Sequence, residues 1–160
     1  MLIVSYMQRP ALVEGICTLG QKGKGLGVSD NTDIGKNPSG LSVLVVDDER
    51  LIRWSLRTGL NRHGHQVAEA ETAAQALQLI ATEPRPFRVV ILDYRLPDRR
   101  DLTLLAEVRR LLPDAAVLMM TAYGDGDMRA QAFALGARAV VDKPFQVSEF
   151  VSLVESSQLH

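Results

Sequence analysis

Acidic residues, one ammonium and one hydroxyl follow short apolar runs in this 160-residue chain. Asp47, Asp48 and Glu49 come directly after SVLVV at Ser42–Val46. Asp93 follows RVVIL at Arg88–Leu92, and Thr121 follows the apolar run Ala115–Met120. Asp142, Lys143 and Pro144 follow Ala137–Val141. Carboxylates gathered in one place repel each other, and a hard divalent cation relieves that repulsion. Mg²⁺ favours a few carboxylates, retained waters and phosphate oxygens. A carboxylate can also attack phosphorus and become an aspartyl phosphate. Such a transfer asks mainly for placement and charge neutralisation, which a metal ion and a lysine supply. A threonine hydroxyl can bond a phosphoryl oxygen. The set therefore points to phosphoryl transfer onto Asp93.

Each residue also has a plainer reading. Asp47 or Asp48 could cap a helix beginning near Glu49, although capping accounts for one aspartate better than for two. Asp93, three residues before Leu96-Pro97, could belong to a turn. Thr121 could be a helix cap. Lys143 is harder to dismiss, because residues 41–160 contain thirteen arginines and only this lysine. A compact ammonium and a planar guanidinium are not interchangeable at a tight site. Trp54, Met119 and Met120 read as packing residues. His63 and His65 lack metal-ligand spacing and read as surface residues of a loop.

The elements that must position these residues are legible from periodicity. Strands are predicted over 42–46, 66–70, 88–92, 115–120 and 137–141. Helices are predicted over 49–62, 72–81, 102–112, 125–135 and 146–156, the third stopped by Pro113 and the fourth by Gly136. Strands that alternate with helices imply a parallel sheet covered on both faces, an α/β doubly wound fold. The strands lack polar alternation, as burial on both faces requires. In such folds ligands bind beyond the carboxyl ends of the strands, where the chemistry-bearing residues fall.

Residues 1–40 differ from the rest. Glycine is dense, periodicity is lost between Gly20 and Gly40, and Pro38-Ser39-Gly40 breaks the chain. This segment reads as a flexible or disordered N-terminal tail, with residues 41–160 as the folded domain. Gly20–Gly27 is no Walker loop, since Gly25 is followed by Leu26 rather than lysine and hydroxyl. A net charge of −1 gives no general electrostatic case for nucleic acid or membrane binding. The single cysteine, Cys17, excludes an internal disulfide and suits a cytoplasmic location. No run approaches the roughly 20 apolar residues of a membrane helix.

The strings VLVVDDE at Val43–Glu49, LDYRLPD at Leu92–Asp98, MMTAYG at Met119–Gly124 and DKPF at Asp142–Phe145 resemble the receiver domain of two-component response regulators. Ile52-Arg53-Trp54 and the DYRLPD run look most like receivers of the nitrogen-regulatory, sigma-54-activator type. The resemblance implies a five-stranded (βα)₅ flavodoxin-like receiver fold. It implies that Asp93 accepts a phosphoryl group from a sensor histidine kinase or phosphotransfer protein. Asp47, Asp48, Asp93 and the Arg95 carbonyl would hold Mg²⁺, Thr121 would turn toward the phosphoryl group, and Lys143 would pair with Asp93. Lys143-Pro144 would be a cis peptide. The surface Gly124–Phe150 would be the signalling face, with a homodimer through it a possibility. Catalysis would be limited to Mg²⁺-dependent self-phosphorylation and dephosphorylation.

Two departures stand out. Val140 occupies the position, three before the lysine, where receivers usually carry an aromatic ring that reports phosphorylation. Asp101, preceded by Arg99 and Arg100, replaces a glycine often found eight residues after the phosphoacceptor. Arg95 and Tyr123 stand two residues beyond Asp93 and Thr121, where bulk is expected to slow loss of phosphate. Val140 keeps open an alternative, a receiver-like interaction module that does not signal by phosphorylation. A Mg²⁺-dependent aspartyl-phosphate hydrolase fits less well, because its DxDx(T/V) pattern is not met by Asp47-Asp48-Glu49. No basic recognition helix appears, so no direct nucleic-acid contact is expected, and the output is expected to be docking or to lie outside this chain.

Overall fold

The computed structural model describes residues 40–122, 124 and 126–157. The reading of residues 1–40 as a tail thus falls, save for Gly40, outside the described residues, as does Tyr123. Elements alternate without exception: β1 (Ser42–Val46), α1 (Arg50–Arg62), β2 (Gln66–Ala70), α2 (Ala73–Thr82), β3 (Val89–Asp93), α3 (Thr103–Leu111), β4 (Ala116–Thr121), α4 (Gly126–Ala134), β5 (Ala137–Asp142) and α5 (Val147–Ser156). All five strands are parallel, in the order β2-β1-β3-β4-β5. This is the doubly wound α/β sheet that the alternation predicts.

Successive side chains along a strand point to opposite faces, and the apolar residues divide accordingly. Leu44, Val46, Val90, Leu92, Val117 and Met119 face one layer, packed with α2, α3 and α4 through Ala73, Ala76, Leu104, Leu105, Val108, Met128 and Ala132. Val43, Val45, Val89, Ile91, Leu118 and Met120 face the other, packed with α1 and α5 through Leu56, Leu60, Phe150, Val151 and Val154. Both layers are dry enough that truncating one fully buried leucine, such as Leu56→Ala, costs about 2–5 kcal/mol.

Strands β3, β4 and β5 each run one residue further than periodicity suggests. The reason is that the ladder continues: the Tyr94 amide donates to the Met120 carbonyl, and the Lys143 amide to the Thr121 carbonyl at 2.7 Å. Asp93, Thr121 and Asp142 are therefore the last residues of strands, not loop residues. Their backbone is fixed by the sheet. Between β4 and β5 the register shifts at Val117/Leu118, where Val117 faces Ala137 and Leu118 faces Ala139. Arg138 is the extra residue, a β-bulge.

Two expectations from sequence are corrected. Trp54 is 53% exposed, because the buried face of α1 runs through Leu56 and Leu60 and leaves the indole on the outer side. His65 is 4% exposed, not a surface residue. It sits directly before β2, where its Nδ1 accepts the Leu41 amide at 3.2 Å and so ties the entry of β1 to that of β2. His63 is exposed as expected, with Nδ1 3.1 Å from a Glu155 carboxylate oxygen.

Candidate functional site

The central strands bring the acidic residues together. β1 and β3 are neighbours, so the carboxyl end of β1 delivers Asp47 and Asp48 beside Asp93 at the end of β3. β4 lies on the other side of β3 and β5 beyond it, so Thr121 and Lys143 arrive at the same edge. One carboxylate oxygen from each of Asp47, Asp48 and Asp93 lies within 4.8 Å of the others. Asp47 is fully buried, Asp93 is 8% exposed and Thr121 1%, whereas Asp48 faces solvent.

Lys143 crosses from the β5 end to close the group. Its Nζ donates to Asp47 Oδ2 at 2.7 Å and stands 3.2 Å from Asp93 Oδ2. Glu49 Oε1 is a third acceptor at 3.3 Å. The peptide Lys143-Pro144 is cis, as the resemblance implies. Burial pushes the carboxyls of Asp47 and Asp93 above their ordinary pKa, against the pull of Lys143. Burial also works against the Lys143 ammonium, but the hydrogen bond from Asp47 and the charges of Asp47 and Asp93 outweigh it and raise its pKa. Three carboxylates thus share the Lys143 ammonium, with Asp48 beside them, and the cluster is short of positive charge.

That shortage is the chemical fit for a divalent ion. An octahedral Mg²⁺ site spans about 4.2 Å between opposite ligands, and the three aspartate oxygens all lie within 4.8 Å of one another. The Asp93 carboxylate also accepts the backbone N–H of Arg95, which fixes the turn that would present the Arg95 carbonyl.

Asp47 and Asp48 do not cap α1 in the usual way. Glu49 is the N-cap residue, and no side chain accepts from the first turn. Asp47 Oδ1 instead accepts the Glu49 amide at 2.8 Å, which braces the acidic loop itself. Arg53, one turn into α1, donates to the Asp47 and Asp48 carbonyls at 2.7 and 3.0 Å. Its role had no signal beyond the Ile52-Arg53-Trp54 string. Asp98 was likewise missed: its two carboxylate oxygens accept the amides of Ala73 and Ala74, both at 2.9 Å. The loop after Asp93 is thereby fastened to the N-terminus of α2. Its slight burial opposes ionisation, yet these two amides hold its pKa below the ordinary value.

Val140 is half-buried against the α2–α4 layer. Its carbonyl accepts from Arg129 of α4 at 3.0 Å, and the same guanidinium pairs with Asp142. Arg129 therefore bridges α4 to the strand that carries Lys143. Arg95 and Arg100 line a cleft with Asp48, Leu96 and Pro97 beside the acidic group.

With this geometry in place, the family is clear. Residues 43–155 match the response regulator receiver domain, and the chain belongs to that family. It is 34% identical over 119 residues to the DNA-binding transcriptional regulator NtrC of Proteus hauseri, covering 74% of this chain and 25% of NtrC. It is 34% identical over 113 residues to sporulation initiation phosphotransferase F of Bacillus subtilis, covering 71% of this chain and 90% of that protein. Among solved structures, the receiver domain of NtrX from Brucella abortus superposes with a TM-score of 0.65 at 31% identity, over 72% of this chain and 97% of that one. The likeness to nitrogen-regulatory receivers is thus borne out. The chain spans about a quarter of the length of its NtrC relatives.

Proposed function

We propose that residues 41–160 form a phosphorylatable receiver in which Asp93 takes a phosphoryl group from a histidine kinase or phosphotransfer protein. The supporting observation is the placement of the Asp93 carboxylate: on the last residue of a central strand, 3.2 Å from Lys143 Nζ, among oxygens of Asp47 and Asp48. Asp47, Asp48, Asp93 and the Arg95 carbonyl are the ligand set for Mg²⁺, which when bound neutralises phosphoryl oxygens. The Asp93 oxygen attacks phosphorus, the bond from phosphorus to the donor histidine nitrogen breaks, and the electron pair leaves with the imidazole. Lys143 then pairs with a phosphoryl oxygen, and the Thr121 hydroxyl donates to another. Neither residue turns over a separate substrate, so the chemistry is a switch and not metabolic catalysis.

The response is carried by the Gly124–Phe150 face, and a homodimer through that face is one output. The NtrC relatives are transcriptional regulators, and an output of that kind is the natural reading for a cytoplasmic receiver. Among the described residues no helix is long and apolar enough to cross a membrane. Val140 favours a second reading, a receiver fold that docks partners without a phosphorylation signal. The two are separated by adding acetyl phosphate and Mg²⁺ to the wild type and to Asp93→Asn. A mass gain of one phosphoryl group, accompanied by amide shifts over Gly124–Phe150 and lost in Asp93→Asn, supports the switch. No mass gain, or a gain without those shifts, supports the docking module.

A further inference from the structure

We propose a second ligand site, for a compact, multiply charged oxyanion of the pyrophosphate class, at the opposite end of the sheet from Asp93. A cleft of about 250 Å³ there is lined by Arg88, Arg109 and Arg138, with Asp114, Gly136 and Ser157. The arginines come from three places: the residue before β3, the last turn of α3, and the β5 bulge. Sequence distance hides the grouping, but the parallel register brings the starts of β3, β4 and β5 together.

No ion pair within 4.0 Å joins any of the three to a carboxylate among the described residues, Asp114 included. Other arginines of the fold do find acids: Arg53, Arg57, Arg99 and Arg129 each pair with one. Arg109 donates to the Ala115 carbonyl at 2.7 Å and Arg138 to the Ser156 carbonyl at 3.2 Å. These bonds to neutral groups hold the guanidinium planes in place but leave the charge uncompensated. A guanidinium has five N–H donors, so most remain available.

Gly136 supports the same reading. It has φ +94°, and a Cβ there would lie 2.9 Å from Arg109 Nε. A side chain at this position would push the Arg109 stem out of its path along the cleft. Planar forks of this kind match the oxygens of phosphate groups. The small volume, below the about 300–1,000 Å³ of drug-sized sites, favours a compact anion over a whole nucleotide. Asp93 lies five residues beyond Arg88, about 17 Å of strand, so the two sites bind independently.

The test is a titration of the ¹⁵N-labelled full chain with inorganic pyrophosphate, in chelator-treated, metal-free buffer. Without metal the acidic pocket repels the anion. Expected are saturable amide shifts at Arg88, Ala115, Ala116, Gly136 and Arg138, with a Kd near or below about 1 mM. Arg88→Ala, whose side chain makes no hydrogen bond within the described fold, weakens binding at least fivefold, and Arg88→Gln does the same if the alanine variant unfolds. Arg85→Ala, which removes the same charge outside the cleft, leaves Kd within twofold. An absence of saturation by about 10 mM pyrophosphate overturns the proposal, as does equal weakening by Arg85→Ala.

Discussion

Lys143 Nζ lies 2.7 Å from Asp47 Oδ2 and 3.2 Å from Asp93 Oδ2, so one ammonium serves two buried carboxylates that come from different strands. The pairing with Asp47 is the shorter, and Asp47 is the more deeply buried of the two. Lys143 is thus as much a counter-ion for the resting pocket as a partner for an incoming phosphate.

Removal of that ammonium leaves the buried Asp47 carboxyl without its counter-ion. Lys143→Ala is expected to destabilise the fold by about 3 kcal/mol, the usual cost of breaking one side of a buried pair. Urea unfolding in metal-free buffer measures it. Added Mg²⁺ should recover part of the loss. A difference below about 0.5 kcal/mol would mean that water already screens the group.

Asp93 carries the opposite expectation. Its pKa is raised in the folded state, mainly by burial, so its ionisation works against folding. Stability from such a group is complete below the unfolded value of 3.8 and is lost as pH rises through the folded value. Asp93→Asn removes the charge and leaves Lys143 to Asp47. At neutral pH without metal the variant should unfold about 1 kcal/mol later than the wild type. Mg²⁺ should stabilise the wild type more than the variant, which a thermal melt with and without the ion will show.

Asp98 holds the β3–α3 loop against α2 by two amide hydrogen bonds. Asp98→Ala should cost about 1–2 kcal/mol, as for loss of an N-cap. Because its folded pKa is lowered, the wild type loses this contribution as pH falls through the folded value, below 3.8. Wild type and variant should therefore converge in stability at strongly acidic pH. A constant gap across the whole range would rule out the ionised form as the source.

His65 is neutral in the fold, since Nδ1 accepts the Leu41 amide and Nε2 is buried without a partner. Burial, the larger influence, holds its pKa below 6.5 despite Glu155 of α5, with His63 at the end of α1 acting in the same direction. As pH falls from about 6.5, the unfolded chain takes up a proton that the folded one refuses, and stability drops. The raised carboxyls of Asp47 and Asp93 give the opposite slope. Subtracting the pH profile of His65→Leu from that of the wild type cancels them. The difference should decline from about pH 7 toward pH 5. A flat difference would show that His65 titrates normally.

Most of the fold was legible because its strands are continuous apolar runs and its helices carry apolar faces. The site was legible for a related reason: in a parallel sheet the residues after each strand meet at one edge, so Asp47, Asp93, Thr121 and Lys143 needed only sequence order. What escaped depends on the third dimension. Trp54 is apolar yet lies on the outer side of α1, because Leu56 and Leu60 already fill the inner face. His65 looked like a loop residue, and only the Leu41 amide across the strand entry gives it a buried partner. Asp98, Arg53 and Arg129 act on backbone groups of other elements, and backbone groups leave no mark in composition. The three arginines of the second cleft lie 21 and 29 residues apart in the chain.

The β5 bulge lets that strand carry one residue that its partner does not match. Ala137 packs on one face and Ala139 on the other, so Arg138 is taken up as an extra residue and the alternation resumes beyond it unchanged. With it, Val140 stands beside Met119, Val141 beside Met120, and Asp142 beside Thr121. Deleting Arg138 would join Ala137 directly to Ala139, whose side chains already lie on opposite faces, and leave Lys143 aimed at Asp47 and Asp93; a single deletion between Val140 and Asp142 would instead break the alternation that serves the pocket. The strand can thus lose its extra residue at the bulge without disturbing the pocket, whereas beyond the bulge no single-residue change in length is neutral.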